Sequence, residues 1–320
     1  MPPELQRRVI AEVDQAKERS RMNVNDSLRH LGIPRGTYYR WKKTRQWERE
    51  VSQPVSPVQA FEALPEERRA VVKYALAHPQ IRHRELCWRM IDADVAYLSA
   101  STVYRILREE ELMHRHRGRV KRYREEIEKA STSDEIWATD LMYLTVGGAQ
   151  YYLITFIDEY SRFIVHWELL SSMDGHSVSV AAQRAIETLP VGADGRPART
   201  PMIRTDNGSG YISGEFVGLL SHHGLTHHRI RPHCPEENGV QERFNRTLRE
   251  GIEEHDLEGR YDSEEVIRNV IGHYNEVRLH SSLGFQTPWT WYRGDPGSVE
   301  RGRRLKLSQA RHRRKQINLG

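Results

Sequence analysis

The chain has 320 residues, of which 38% are hydrophobic and 29% charged, with a net charge of +5. That composition fits a soluble globular chain of two or three domains with a very polar surface. No apolar run approaches the roughly 18 residues of a membrane span, the amino-terminal MPPELQRRVIAEVDQ lacks the apolar core of a secretory signal, and two lone cysteines, Cys87 and Cys234, exclude a disulfide framework and suit a reducing cytosol.

Charge is segregated along the chain. Residues 28–47 and 114–124 carry six Lys and Arg each, residues 301–320 carry eight, and none of the three segments holds an acid. Together they hold 20 of the 49 basic residues, which leaves 29 against 44 acids elsewhere. Solubility does not require such segregation; contact with a polyanion such as nucleic acid does.

Residues 1–50 read as three helices. The first runs from Glu4 to Arg19 with Leu5, Val9, Val13 and Ala16 at helical spacing. The second, NDSLRHLG, has Asn25 as its cap and Gly32 as its stop. A basic third helix, RGTYYRWKK, opens after Pro34. Helix, glycine turn and basic helix form the helix-turn-helix pattern, which puts Arg35, Thr37, Tyr38, Arg40 and Lys42 on a DNA-reading helix. A small helical bundle is the competing reading. Residues 51–65, with Pro54, Pro57 and Pro65, read as a linker.

A second, weaker helix-turn-helix-like domain spans 66–113, with helices at 66–78, 83–93 and 101–111. Ser99 or Ser101 caps the last, with Val103, Ile106 and Leu107 inward and Arg105 and Arg108 outward. Residues 114–132 read as a basic connector. From Ile136 the texture changes to β-branched and aromatic runs: IWATDLMYLTV, QYYLITFID and FIVHWELL, the first two joined by GGAQ as a tight hairpin. Helix SVSVAAQRAIETL, strand PMIRTD, helix GEFVGLLSHHG, strand LTHHRI and the long helix from NGVQERFNRTL follow. The order βββαβαβα implies a mixed sheet with helices on its faces. The domain is placed at 133–295 and a basic tail at 296–320.

Three acids stand out by position. Asp140 interrupts an apolar strand, where aspartate is disfavoured. Asp206 ends a strand just before the turn Asn207-Gly208. Glu242 lies in the first turns of the last helix, where the helix dipole favours a negative charge. Carboxylates brought together from distant elements can hold Mg²⁺, with water and phosphate as its other ligands. Any one of them taken alone, among 44 acids, reads more readily as an ordinary surface or capping residue.

The motifs WATDLMYL, FIDEYSRFIV, RTDNGSGY, PHCPEENGVQERFN and YNEVRLHSSLGFQTP occur in that order, and 35 residues separate Asp206 from Glu242. In these respects residues 133–292 resemble the retroviral-integrase-like transposases of bacterial insertion sequences, within the DDE recombinase superfamily. The resemblance implies an RNase H-like fold and a catalytic, metal-binding triad of Asp140, Asp206 and Glu242. It implies two Mg²⁺ ions, with Mn²⁺ as a substitute. The implied reaction is strand cleavage at element ends followed by strand transfer. The implied partners are the element's terminal inverted repeats, target DNA and further copies of the chain, in a bacterial, nucleoid-associated setting without membrane. Glu236 and Glu237 are rivals for the third carboxylate but break the spacing. Asp158 is implied to be a recurrent non-catalytic residue that holds the EYSR turn.

On the last helix, Asn238, Asn245, Arg246 and Arg249 fall near the Glu242 face, with Arg246 and Arg249 read as DNA contacts against the competing reading of a solvated helix face, while Val240, Phe244, Leu248 and Ile252 form the buried stripe. The cluster HHGLTHHRIRPHC has no CxxC partner, so a structural zinc site is not expected. Two features depart from the family: QIRHREL stands where relatives carry a Gly-Tyr-Arg-Arg-like run, and Leu279 where they carry Pro. The rival function is a catalytically silent DNA-binding repressor or domesticated relative; a simple nuclease is a third. The tail's eight cations and few large apolar residues predict mobility and sequence-independent phosphate contact, against a competing short helix docked on the catalytic domain through Leu305 and Leu307.

Overall fold

The computed structural model describes residues 3–20, 23–50, 59–113, 129–193, 195, 197–231, 238–253 and 255–320. Most of the expected linker, most of the basic connector, and Cys234, Glu236 and Glu237 lie outside them. The chain divides into two compact units, residues 1–60 and 61–318. Among the described residues no helix is long and apolar enough to cross a membrane.

The first unit holds α1 (Pro3–Ser20), α2 (Val24–His30) and α3 (Arg35–Glu50). Its core is Ile10, Val13, Leu28 and Tyr38. The cap of α2 is Asn23, not Asn25: the Asn23 side chain accepts from the Asn25 amide at 3.2 Å. A side chain can satisfy only amides that follow it, so the cap lies one residue ahead of the helix.

The second unit opens with α4 (Pro65–Ala77), α5 (His83–Asp92) and α6 (Ala100–Glu109) around Val71, Leu86, Met90, Ile91, Val103, Ile106 and Leu107. Ser99 caps α6 by accepting from the Thr102 amide at 3.2 Å. A five-stranded sheet follows, in the order β3-β2-β1-β4-β5: β1 (Ile136–Val146), β2 (Ala149–Asp158), β3 (Ile164–Leu170), β4 (Met202–Thr205) and β5 (His227–Arg229). β1, β2 and β3 are antiparallel neighbours, while β4 and β5 run parallel to β1. This is the mixed sheet of an RNase H-like fold. The hairpin between β1 and β2 is only Gly147-Gly148, both at positive φ, a backbone that glycine adopts without strain.

Both faces of the sheet are covered. α7 (Gly175–Ile186) and α8 (Gly214–His222) bury Trp137, Ile154, Phe156 and Ile203 on one side. α9 (Gly239–Ile252) and α10 (Arg260–Glu276) bury Ala138, Met142, Leu153 and Ile157 on the other. Strand side chains alternate, so odd positions of β1 point to α7 and α8 and even positions to α9 and α10. That parity decides where Asp140 goes.

Residues 288–319 form α11 (Pro288–Tyr292) and α12 (Pro296–Leu319). The expectation of a mobile tail therefore fails. α12 lays Arg303, Leu307, Ala310 and Arg314 inward, with Leu307 packed on the α4–α6 core, while Leu305 is 58% exposed and anchors nothing. Apolar content alone understates what can hold this helix, because its cations are not left unpaired. Acids far away in sequence take them up. Arg303 Nε and Nη2 donate to Asp92 at 2.8 and 2.6 Å, and Arg314 Nη1 donates to Glu67 at 2.7 Å. Lys306 pairs with Asp94. Arg303 also donates to the carbonyls of Gly284 and Phe285, at 3.1 and 2.7 Å. One guanidinium thus ties the α4–α6 module, the 284–285 turn and α12 together.

Arg303 is 5% exposed and Asp92 39%. Breaking a buried pair from one side costs several kcal/mol, less where the surviving charge reaches water. Arg303→Met should lower stability by roughly 2–3 kcal/mol, measured by denaturant unfolding of the full chain. Arg304→Met, on the exposed face beside Glu300, should change it by less than about 0.5 kcal/mol. Equal effects would reject the clamp.

A candidate active site at the junction of the sheet and α9

Asp140 sits at the middle of β1 on an even position, so it shares a face with Ala138 and Met142 and points toward α9. Its Oδ1 accepts from the Leu141 amide at 3.0 Å and its Oδ2 from Asn245 Nδ2 of α9 at 2.7 Å. β4 runs parallel to β1 with Ala138 beside Arg204, so Asp206 emerges from the end of β4 at the level of Asp140. The turn that follows fixes its carboxylate. Gly208 N–H donates to Asp206 Oδ1 at 2.8 Å, and Asn207 Nδ2 donates to the Ile230 carbonyl at 3.1 Å. A Cβ on residue 208 would stand 3.0 Å from Asp206 Oδ1, a tight contact that a side chain there would relieve only by shifting that carboxylate. Beneath the turn, fully buried Tyr211 hydrogen-bonds Thr139 at 3.1 Å and holds it to β1.

Burial is the main reason that Asp140 is pushed up to about 6, and the neighbouring negative charge of Asp206 is the second. The bonds from Leu141 and Asn245 oppose the rise, and Glu242 adds to it. Glu242 is exposed in the first turn of α9, one turn before Asn245. Among the described residues no three of His, Cys, Asp and Glu are placed to hold one metal ion together, so the structure brings Asp140 and Asp206 together but does not close Glu242 onto them. The donor set nevertheless fits a hard divalent cation. Asp140 and Asp206 are close enough to repel, a cation would relieve that repulsion, and Mg²⁺ keeps several positions for water and phosphate.

Beside Glu242, a groove of about 380 Å³ is lined by Glu242, Asn245, Arg246, Arg249, Glu250 and Glu253. Arg246 and Arg249 are both exposed there. Asp158 has no part in the site. It pairs in register with Trp137, on the opposite face from Asp140. Its Oδ2 accepts from the amide and hydroxyl of Ser161, at 2.8 and 2.5 Å, and its Oδ1 accepts from the Asp134 amide at 2.8 Å.

The residues expected on the first unit's reading helix divide. Arg35 and Arg40 are exposed and Thr37 is half-buried. Tyr38 is corrected: it is 1% exposed, packed in the core with its hydroxyl donating to Asp14 at 3.1 Å. Exposed Tyr39 lies beside it instead, 5.6 Å from the Arg35 guanidinium. The spacing of Tyr38 and half-buried Trp41 marks an inward stripe that could have been read from sequence. Lys42 donates to Asp14 at 2.8 Å.

Three residues around Asp140, Asp206 and Glu242 escape the sequence reading: Tyr211, Thr155 and Gln241. The last is fully buried and donates to Thr155 Oγ1 at 2.5 Å. Its signal was an amide in line with the apolar stripe of Phe244, Leu248 and Ile252.

The family model "Integrase core domain" matches residues 130–235, and a second model of the same description matches residues 223–288. The transposase for insertion sequence element IS904 of Lactococcus lactis is 29% identical over 165 residues, 51% of this chain and 63% of that protein. The insertion element IS476 uncharacterized 39.2 kDa protein of Xanthomonas euvesicatoria is 27% identical over 219 residues, 67% of this chain and 61% of its own length. The chain thus spans less than two thirds of either relative. Among solved structures, the HTLV-2 integrase catalytic core domain in complex with magnesium superposes with a TM-score of 0.41 at 18% identity, covering 52% of this chain and 100% of that one.

A raised carboxyl has a consequence for stability. Asp140 binds its proton more tightly folded than unfolded, so it destabilises the fold at neutral pH, and that cost disappears as the pH falls from about 6 to below 4. Asp140→Asn, which retains the shape and loses the charge, should raise stability at pH 7.5 in EDTA by on the order of 2 kcal/mol. The gain should vanish by about pH 4. Thermal melts of both proteins across pH check it; a gain that does not depend on pH would contradict it.

Proposed function

We propose that this chain, whose residues 130–288 are an integrase core domain, is a transposase that binds the ends of a mobile element and carries out metal-dependent strand cleavage and strand transfer. The observation that carries the reading is the gathering of Asp140 and Asp206 at one level of one sheet face, against the helix that bears Glu242. Asp140, Asp206 and Glu242 are the residues proposed to hold two Mg²⁺ ions, with Mn²⁺ able to replace them. Bound there, the ions would supply Lewis-acid activation of the attacking oxygen and stabilise the leaving 3′ oxygen.

The chain's own groups do the remaining work. Asn245 holds Asp140 Oδ2 in place, and the Gly208 amide holds Asp206 Oδ1. The raised proton affinity of Asp140 favours a site that loads once a cation has displaced its proton. Arg246 and Arg249, on the groove that begins at Glu242, are placed to take phosphates of the DNA end. Arg35, Thr37 and Arg40 of α3 are proposed DNA contacts, with Lys42 secondary because Asp14 holds its ammonium. Self-association on DNA is part of the same proposal, since two ends must be joined.

Two experiments test it. With full-length protein and a duplex ending in the inverted repeat that brackets the gene, Glu242→Gln, Asp206→Asn and Asp140→Asn should each cut cleavage by roughly two orders of magnitude or more. Binding of the duplex should be retained, and both Mg²⁺ and Mn²⁺ should support the wild type. A Glu242→Gln protein that cuts at the wild-type rate rejects the triad. Second, the plot of log affinity against log salt should become shallower by about two units in an Arg246→Ala, Arg249→Ala double variant if each arginine holds a phosphate. An unchanged slope removes them from the DNA path.

A further inference from the structure

Gln241 occupies a place that packing alone would give to leucine or methionine. It lies on the inward stripe of α9 with Phe244, Leu248 and Ile252, and is 0% exposed. Its Nε2 donates to Thr155 Oγ1, and its Oε1 has no hydrogen-bond partner among the described residues. A buried polar atom left unpaired costs more than a single bond to a hydroxyl returns. For stability the amide is the worse choice, so its effect must lie in where it holds the helix.

Thr155 is the register partner of Asp140 in the β1–β2 pair, so the two side chains stand next to each other on the face toward α9. Asn245, one helical turn beyond Gln241, donates to Asp140 Oδ2. Two amides spaced i and i+4 therefore hold α9 to two adjacent strand residues at one level. Between Phe244, Leu248 and the sheet the contact is apolar and has no direction of its own. A slip of one residue along a helix is about 1.5 Å, with a turn of about 100°, enough to carry Glu242 away from Asp140 and Asp206.

Resting on the triad reading above, we propose that Gln241 is a positioning residue: its bond to Thr155 fixes the rotation and height of α9 and so delivers Glu242 to the two aspartates. Gln241 touches neither metal nor DNA.

The test uses the full chain as Gln241→Met, Thr155→Val, the double variant, and Glu242→Gln in parallel. The readouts are the melting temperature in EDTA, Mn²⁺ binding without DNA by isothermal titration, and cleavage against Mg²⁺ concentration. Gln241→Met and Thr155→Val should melt at or above the wild type. Each should weaken Mn²⁺ binding by about tenfold, as loss of a ligand-orienting partner does, and raise the half-activating Mg²⁺ concentration by a similar factor. The double variant should be no worse than either single, because both remove one bond. Wild-type Mn²⁺ affinity and Mg²⁺ dependence in both single variants would overturn the proposal, as would losses that track a lowered melting temperature. If Glu242→Gln is inactive while the Gln241 and Thr155 variants are normal, the positioning role alone fails. If Glu242→Gln cuts normally, the triad fails with it.

Discussion

Two carboxylates pressed together on a partly buried sheet face are costly to hold, and the architecture around Asp140 and Asp206 follows from holding them. Neither burial nor proximity to a like charge favours ionisation, and both act on Asp140. Each carboxylate therefore needs a donor that cannot wander. Asn245 on α9 and the backbone of Leu141 serve Asp140, and the tight turn at Gly208 serves Asp206. Behind them, Tyr211 anchors that turn to Thr139, on the opposite side of the sheet. The two faces have different tasks: the α7 and α8 face supports the turn, and the α9 face presents the acids.

The same logic explains why so much polar chemistry is buried elsewhere in this charge-rich chain. Arg204, level with Ala138 on β4, sends its guanidinium to both oxygens of Glu159, at 2.6 and 2.8 Å, and both partners are buried. This ties the strand that ends in Asp206 to the turn after β2. A buried ion pair is seldom worth more than well-packed apolar groups, but it has direction and register. α12 uses the same device at larger scale. Asp92 closes α5 at the helix end where the dipole disfavours an acid, and Arg303 compensates it while gripping the 284–285 carbonyls.

What the sequence revealed and what it hid divide along a physical line. The β-branched and aromatic richness of IWATDLMYLTV, the Gly147-Gly148 turn and the apolar stripe of α9 are local patterns, and they marked the strands, the hairpin and the covering helix to within a few residues. The candidate acids were legible because each sat where its element disfavoured or exposed it, and the 35-residue spacing chose Glu242 over Glu236 and Glu237. Tyr38 was misread because basic neighbours drew attention to the wrong side of α3. The docking of α12 was hidden for another reason. Its cations meet Glu67, Asp92 and Asp94, more than two hundred residues earlier, and no local window can show that a charge is already paired.

Gln241 belongs to both classes. Its position on an inward stripe is local information, but its partner, Thr155, is 86 residues away, and the meaning of the pair depends on Asp140 standing beside Thr155 in the sheet. A buried amide that stabilises poorly is therefore informative. Selection for stability alone would favour an apolar side chain there, and the helix would pack as well in more than one register. On the proposed function, uniqueness of register is what α9 needs, because one face of that helix must cover the sheet while the adjacent flank carries Glu242. The carboxylates, the amides that orient them and the arginines along the groove then form one directional system on an apolar base: the base supplies most of the stability and the polar residues supply the alignment.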